Sequence, residues 1–350
     1  MREIVIVISD LYLTEGREGA GPDAPTAPGL AHAMRFGHRA TLQYGWRSWL
    51  AHWLGRPDLG SIAPATAAAA AAGGVRPDSA ATVWIATPLH LAAGLTTLHA
   101  DFRSRVRPAR RELERLARDF HVAFASPGFG LQLLDSSEFL LFMPPVPPAQ
   151  TTEPARLVVL DVADALPAGP GAVTLRRLGA EIDMWLHQDA ADHPAARRGE
   201  PIANTLWLWG GGPTVPDASQ APGMPAAIAG PQFRATAFAN DAFVQGLCKL
   251  SGNECQPLPQ QLEDVFARPE VRRAIVVAEV GQALRSDERW TVPQALAELD
   301  RRFVATAIRG LRSRDIATMT IVANDRRLIV NARDHLKLWR RPRPGLEGLR

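Results

Sequence analysis

Ile4-Val5-Ile6-Val7-Ile8 is a continuous β-branched run that ends at Ser9-Asp10. Such a run reads as a strand covered on both faces, as in a parallel α/β sheet. Asp10 then stands just past the carboxyl end of that strand, where open α/β sheets place their ligands. A second group of chemistry-bearing residues is His187, Asp189, Asp192 and His193. These are metal-ligating types, but the two imidazoles are six residues apart and do not share a helix face. A solvated helix end is expected there. Gly210-Gly211-Gly212 could cradle a phosphate through backbone N–H groups. Pro213 follows, however, and no helix pattern opens at that point, so a tight turn is expected. The chain contains no GxxxxGK[ST], no GxGxxG after a strand, no HExxH, no GxSxG and no CxxC.

The elements that must position these residues follow from a chain of 350 residues, 46% hydrophobic and 21% charged. That length holds about two domains with a sizeable core. Gly and Pro number 28 and 29, enough for many turns. The net charge is only +3, which does not argue for nucleic acid. Lys249 and Lys337 are the only lysines, so the basic side chains are otherwise arginines, whose planar fork suits carboxylates and phosphates. Two cysteines, Cys248 and Cys255, cannot make a disulfide framework and point to a reducing, cytoplasmic setting. The longest apolar tract is an alanine run too short to span a membrane.

Strands are expected over 81–85, 139–142, 157–160, 205–209, 274–280 and 317–322. Helices are expected over 43–54, 107–120, 175–186 and 292–311. The first of these carries a stripe of Trp46, Trp49, Leu50 and Trp53, read as core. Thr291 and Pro293 give the last one an N-terminal signal. The Ala/Gly stretch 63–77 reads as a linker or loop tip. Strands alternating with helices give an α/β class with a mainly parallel sheet and helices on both faces. The strands at Ile4, Thr205, Ala274 and Ala317 are expected to share that sheet.

The block from His193 to Gly212 resembles the "HPxNxxRxxxGxxxAN" strand and "WGxG" turn of cofactor-independent phosphoglycerate mutases, chiefly the archaeal type. Residues 235–255 are similar to their "iaxxxlvxGlaxxxGm" stretch. Pro88-Leu89-His90-Leu91, the Asn204 to Gly212 block and Trp339-Arg340-Arg341 resemble the RpfE-type regulatory proteins of proteobacteria, distant relatives of the mutases. The resemblance implies an alkaline-phosphatase-like core over 1–75 and 201–350, with a smaller α/β domain inserted over 76–200.

Active members of that superfamily hold two divalent metals with Asp and His ligands. Here the first ligand position keeps Asp10 but loses the glycine after it. The "DxxxH" after the strand at Ile275 becomes Gln282 to Asp287, without His. The final "DH" becomes Asn324-Asp325-Arg326, so an arginine stands where an imidazole belongs. At about 4 Å from a dication, that charge would be repelled by several kcal/mol even at an effective dielectric of 20. The resemblance thus implies a binding or regulatory protein without mutase activity, with no cofactor expected. The substrate-side arginines fare better. Arg197 or Arg198 matches the motif arginine, Arg103 or Arg105 is a candidate partner, and Asn204 completes an anion-binding set. The alternative is an active phosphatase or mutase using manganese or magnesium on Asp10, Asp287 and Asp325. A third reading is a scaffold for a protein partner. The expected ligand is a small phosphorylated or acidic metabolite, with no nucleic acid and no membrane as partner.

Overall fold

A computed structural model describes residues 1–9, 11, 26–73, 80–94, 98–100, 106, 108–134, 136–158, 160–190, 198, 201–214, 234–286 and 291–336. Its strands are β1 (Arg2–Ser9), β2 (His38–Thr41), β3 (Thr82–Leu89), β4 (Ala92–Ala93), β5 (Leu98–His99), β6 (Gly130–Leu133) and β7 (Phe139–Met143). They continue with β8 (Thr205–Pro213), β9 (Thr236–Phe238), β10 (Glu254–Gln256), β11 (Arg273–Glu279), β12 (Ile316–Ala323) and β13 (Arg326–Asn331). The chain divides into two compact units, one of residues 1–61, 225–244 and 251–350, the other of residues 62–224 and 245–250.

The first unit is built on a seven-stranded sheet of order β10-β9-β11-β1-β12-β13-β2. The first five strands run parallel, and β13 and β2 close one edge as antiparallel strands. From Ile4 to Ser9 every residue of β1 is buried. This is the two-sided burial that its β-branched run predicts for a central parallel strand. Helix Gly45–Trp53 places Trp46 and Leu50 in the core. At its far end, Trp53 donates its indole N–H to Glu3 at 3.2 Å, while Arg273 stacks 3.8 Å over the Trp53 ring and pairs with Glu3 at 2.8 Å.

Helix Val292–Leu299 begins with a capping box at Thr291 and Gln294, as the sequence signal indicates. It does not run on smoothly: Asp300–Val304 is a π-turn before the helix resumes at Ala305–Ser313. The turn brings Asp300, 1% exposed, onto the N-terminus of helix Pro28–Phe36, where it accepts N–H bonds from Gly29 at 3.0 Å and Leu30 at 2.6 Å. A β-carbon at Gly29 would lie 2.6 Å from the Asp300 Oδ1, so only glycine permits the approach.

The second unit holds a four-stranded antiparallel sheet of order β6-β7-β3-β8. Here the expected placement of the Thr205 strand is corrected: β8 pairs antiparallel with β3 and does not join β1, β11 and β12. A continuous apolar run reports burial of both faces, not strand direction. One face of this sheet packs its Trp84, Phe139, Leu141 and Leu208 against Leu116, Phe120, Leu178 and Ile182 of helices Arg110–Ala123 and Ala172–Ala190. Helix Pro64–Ala72 also packs on β8 and β3.

That last helix corrects a second expectation, because the alanine-rich stretch is core, with Ala65, Ala67 and Ala68 fully buried. Its small side chains let backbones come close: a β-carbon on Gly212 would meet Ala63 Cβ at 2.6 Å. The triple glycine is accordingly part of β8 and not a tight turn. The strand expected at 157–160 is not formed by its described residues, for Pro154–Val158 is a 3-10 turn.

Candidate functional site

The carboxyl ends of the parallel strands are where open α/β sheets place their ligands. Ser9 ends β1 in register with Glu279 at the end of β11, and Ile8 is paired with Ala323 on the other side. The residues that follow β12 are Asn324 and Asp325. Asn324 adopts a left-handed backbone (φ 49°), and its side-chain amide donates to the Leu11 carbonyl, tying the β12–β13 turn to the chain leaving β1. Asn tolerates that conformation better than most residues. Ser9 is 3% exposed, and its hydroxyl has no hydrogen-bond partner among the described residues. An orphan of this kind costs about 1–3 kcal/mol, a cost that a ligand would remove.

Asp325 lies in an exposed turn, its side chain 56% accessible, with Oδ1 at 3.5 Å from the Arg326 Nε. Arg326 opens β13 opposite Thr41 and reaches its hydroxyl at 3.4 Å. A two-metal centre needs several convergent carboxylates and imidazoles. Among the described residues no group of three or more His, Cys, Asp or Glu gathers, and Asp325 faces a guanidinium. Of the carboxylates that the mutase resemblance implies as ligands, Asp325 is described, and Arg326 faces it. Asp10 and Asp287 lie outside the described residues, so the approach of Asp10 to Asp325 expected from the strand ends is not part of this geometry.

Of the expected anion-binding set, Arg103, Arg105 and Arg197 lie outside the described residues, and Arg198 is exposed on a turn. Asn204 has a different role. Its Oδ1 accepts from the Leu91 N–H at 2.8 Å and its Nδ2 donates to the Leu91 carbonyl at 2.9 Å. Oxygen and nitrogen of the amide each bond the same backbone unit, as in a sheet ladder. Beside it, the His90 ring nitrogen Nδ1 is 2.8 Å from the Ile202 carbonyl. The segment that resembles "PxHL" is therefore docked on the start of β8. We expect Asn204→Ala to lower stability by about 1–3 kcal/mol through the orphaned Leu91 groups while oxyanion affinity stays unchanged. Urea unfolding paired with a phosphate titration checks this.

The His187 cluster behaves as a helix end. Asp189 accepts two bonds from Arg115, at 2.6 and 2.7 Å, joining helices Ala172–Ala190 and Arg110–Ala123. Asp192 and His193 lie outside the described residues.

Sequence reasoning missed two groups in the first unit. Ser9 precedes Asp10, and its place at the end of an apolar run is the signal the sequence offers for it. Arg47 was hidden inside the tryptophan stripe. Its guanidinium lies 4.6 Å from the Trp46 ring centre and 5.7 Å from that of Phe243, which itself meets Trp46 edge-on at 5.9 Å.

No protein-family model matches the sequence, and no curated protein matches it either. Among solved structures, the chain is similar to the cofactor-independent phosphoglycerate mutase from Thermoplasma acidophilum. The identity is 14% and the TM-score 0.38, over 94% of this chain and 89% of that one. It is also similar to the PH0037 protein from Pyrococcus horikoshii, at 13% identity and a TM-score of 0.47, over 94% of this chain and 87% of that one. Likenesses this distant carry no argument about activity, and neither speaks for the RpfE-type resemblance. Among the described residues, no helix is long and apolar enough to cross a membrane.

Proposed function

We propose that the chain is a phosphoglycerate-mutase-like protein that captures a phosphorylated or acidic metabolite and does not turn it over. In this reading it serves as a regulatory or binding module akin to the RpfE-type proteins. The observation that carries it is the pairing of Asp325 with Arg326. Where the mutases have an aspartate and a metal-bound imidazole, this chain presents an aspartate already facing a cation. Arginine stays charged at any physiological pH, so a permanent cation stands where the mutases hold a metal-bound imidazole, and it disfavours a dication beside Asp325. Two cysteines are too few for a disulfide framework, which supports the reducing, cytoplasmic setting of the proposal.

Calorimetric titration of chelator-treated protein with 3-phosphoglycerate tests the capture half of the reading. Saturable binding without added metal is expected, weakening as salt rises because charge–charge attraction is screened. Binding that appears only when manganese is restored would favour the metal-dependent enzyme.

A further inference from the structure

Which of the two arginines after the β12–β13 turn meets an anion follows from strand register, and the inference rests on the capture reading above. Arg326 pairs with Ala323 of β12, which pairs with Ile8 of β1. Arg327 pairs with Val322, which pairs with Val7. Directly paired residues put their side chains on one face of a sheet, and successive residues alternate between faces. Arg326 and Arg327 therefore project from opposite faces, and Ser9, two residues past Val7, shares the face of Arg327. The two arginines also differ in company. Arg326 has Asp325 at 3.5 Å and the Thr41 hydroxyl at 3.4 Å. Arg327 is half-buried with its Nε enclosed, and among the described residues it has no hydrogen-bond acceptor and no carboxylate partner.

The neighbours on that face account for the lack. Val322 of β12 flanks Arg327 on one side and Ala40 of β2 on the other, and neither side chain can accept a hydrogen bond. Glu279, which ends β11 on the same face in register with Ser9, is three strand spacings from β13, about 14 Å. Glu3, at the opposite end of the face, is taken by Arg273 and Trp53. Asp334 accepts from the Asn331 N–H at 2.8 Å and lies 3.9 Å from His38. A guanidinium does not shed its charge, so an enclosed N–H of this kind calls for an anionic acceptor. Nε and one Nη form the edge of the fork that grips two oxygens side by side. Because Nε is the enclosed atom, a group held on that edge is drawn against the sheet. Val322 and Val7 belong to the carboxyl halves of β12 and β1, so Arg327 stands toward the end where open α/β sheets bind their ligands.

We propose that Arg327, and not Arg326, is the arginine that holds the oxyanion, gripping it side-on through Nε and one Nη on the Ser9 face of the sheet. The shared chemistry is a phosphoryl or carboxylate group, and calorimetric titrations of the full chain with inorganic phosphate and with succinate separate the two sources. Arg327→Met keeps an apolar stem between Val322 and Ala40 and removes the fork. It is expected to weaken binding of the preferred anion roughly ten- to a hundredfold, the range for a charge-assisted hydrogen bond. Arg327→Lys keeps a point charge without the side-on edge and should fall in between. Arg326→Met should cost far less than Arg327→Met, because Asp325 already offsets that charge. Without anion, the thermal midpoint of Arg327→Met should hold or rise, since an enclosed N–H that lacks an acceptor is removed. Were a carboxylate of this chain the true partner of Arg327, the midpoint would fall while anion affinity stayed the same, and the proposal would be overturned. Equal binding by the wild type and both Arg327 variants, or a larger loss in Arg326→Met, overturns it too and leaves the capture reading standing. If the wild-type protein binds neither anion, both fall.

Discussion

Replacing Asp300 with alanine is expected to cost about 2–4 kcal/mol of stability, enough to remove a large part of an ordinary domain's margin. The side chain is the N-terminal acceptor of helix Pro28–Phe36, supplied from a π-turn 271 positions along the chain. Ala27, the residue before that helix, makes no side-chain cap, so nothing local would take over the Gly29 and Leu30 N–H groups. The Asp300→Asn variant, with one acceptor and one donor, should recover less than half of the loss, because its amide N–H would face a backbone N–H. A pH dependence accompanies the effect. Burial raises the Asp300 carboxyl above the ordinary aspartate range, and the two backbone N–H bonds offset this only in part. Between the unfolded value of about 3.9 and that raised native value, the folded protein binds more protons than the unfolded one. This group's contribution therefore falls as pH rises through that window. The stability gap between wild type and Asp300→Ala should widen on acidification from about pH 7 toward 4. Urea midpoints across that range measure it, and a gap that narrows on acidification would reverse the sign argued here.

Gly211→Ala is expected to be a strongly damaging one-carbon addition in the second unit. A β-carbon there would lie 2.1 Å from Trp84 Cε3, inside the closest contact that atoms tolerate. Trp84 is itself 3% exposed within the cluster that joins the antiparallel sheet to its helices. Neither the strand nor the ring can shift without disturbing that packing. Overpacking of this kind costs about 1–3 kcal/mol, and more where backbone must move. A smaller partner should relieve it: Gly211→Ala combined with Trp84→Leu is expected to be less destabilised than the sum of the two single changes. A double-mutant cycle on thermal or urea unfolding reads that coupling directly, and strict additivity would show that the contact is not what holds glycine at this position.

These two cases show where the sequence was legible and where it was not. The strands β1, β11 and β12 were readable because two-sided burial writes itself as an unbroken apolar run. Thr291 was readable because a capping box is local. The same logic misled at Thr205, since β8 is also buried but antiparallel, and direction leaves no mark in composition. At 63–77, alanine and glycine looked like a linker because low side-chain volume has two meanings, a flexible tether or a close backbone approach. Only the neighbours at Gly212 and Pro213 decide between them. The role of Asp300 could not be read, because its two partners lie 271 and 270 positions away in the chain. Asn204 stood out by resemblance, yet its amide is consumed by the Leu91 backbone, a bond no motif records.

In the function proposed above, the site holds an anion without a metal and without turnover. The most direct measurement is elemental analysis of protein purified without chelators, paired with a coupled phosphoglycerate mutase assay in excess manganese. No stoichiometric manganese or zinc is expected, and no mutase turnover above the uncatalysed background. Two metal ions per chain, with turnover abolished by Asp325→Ala, would contradict this and establish a metal-dependent enzyme in its place.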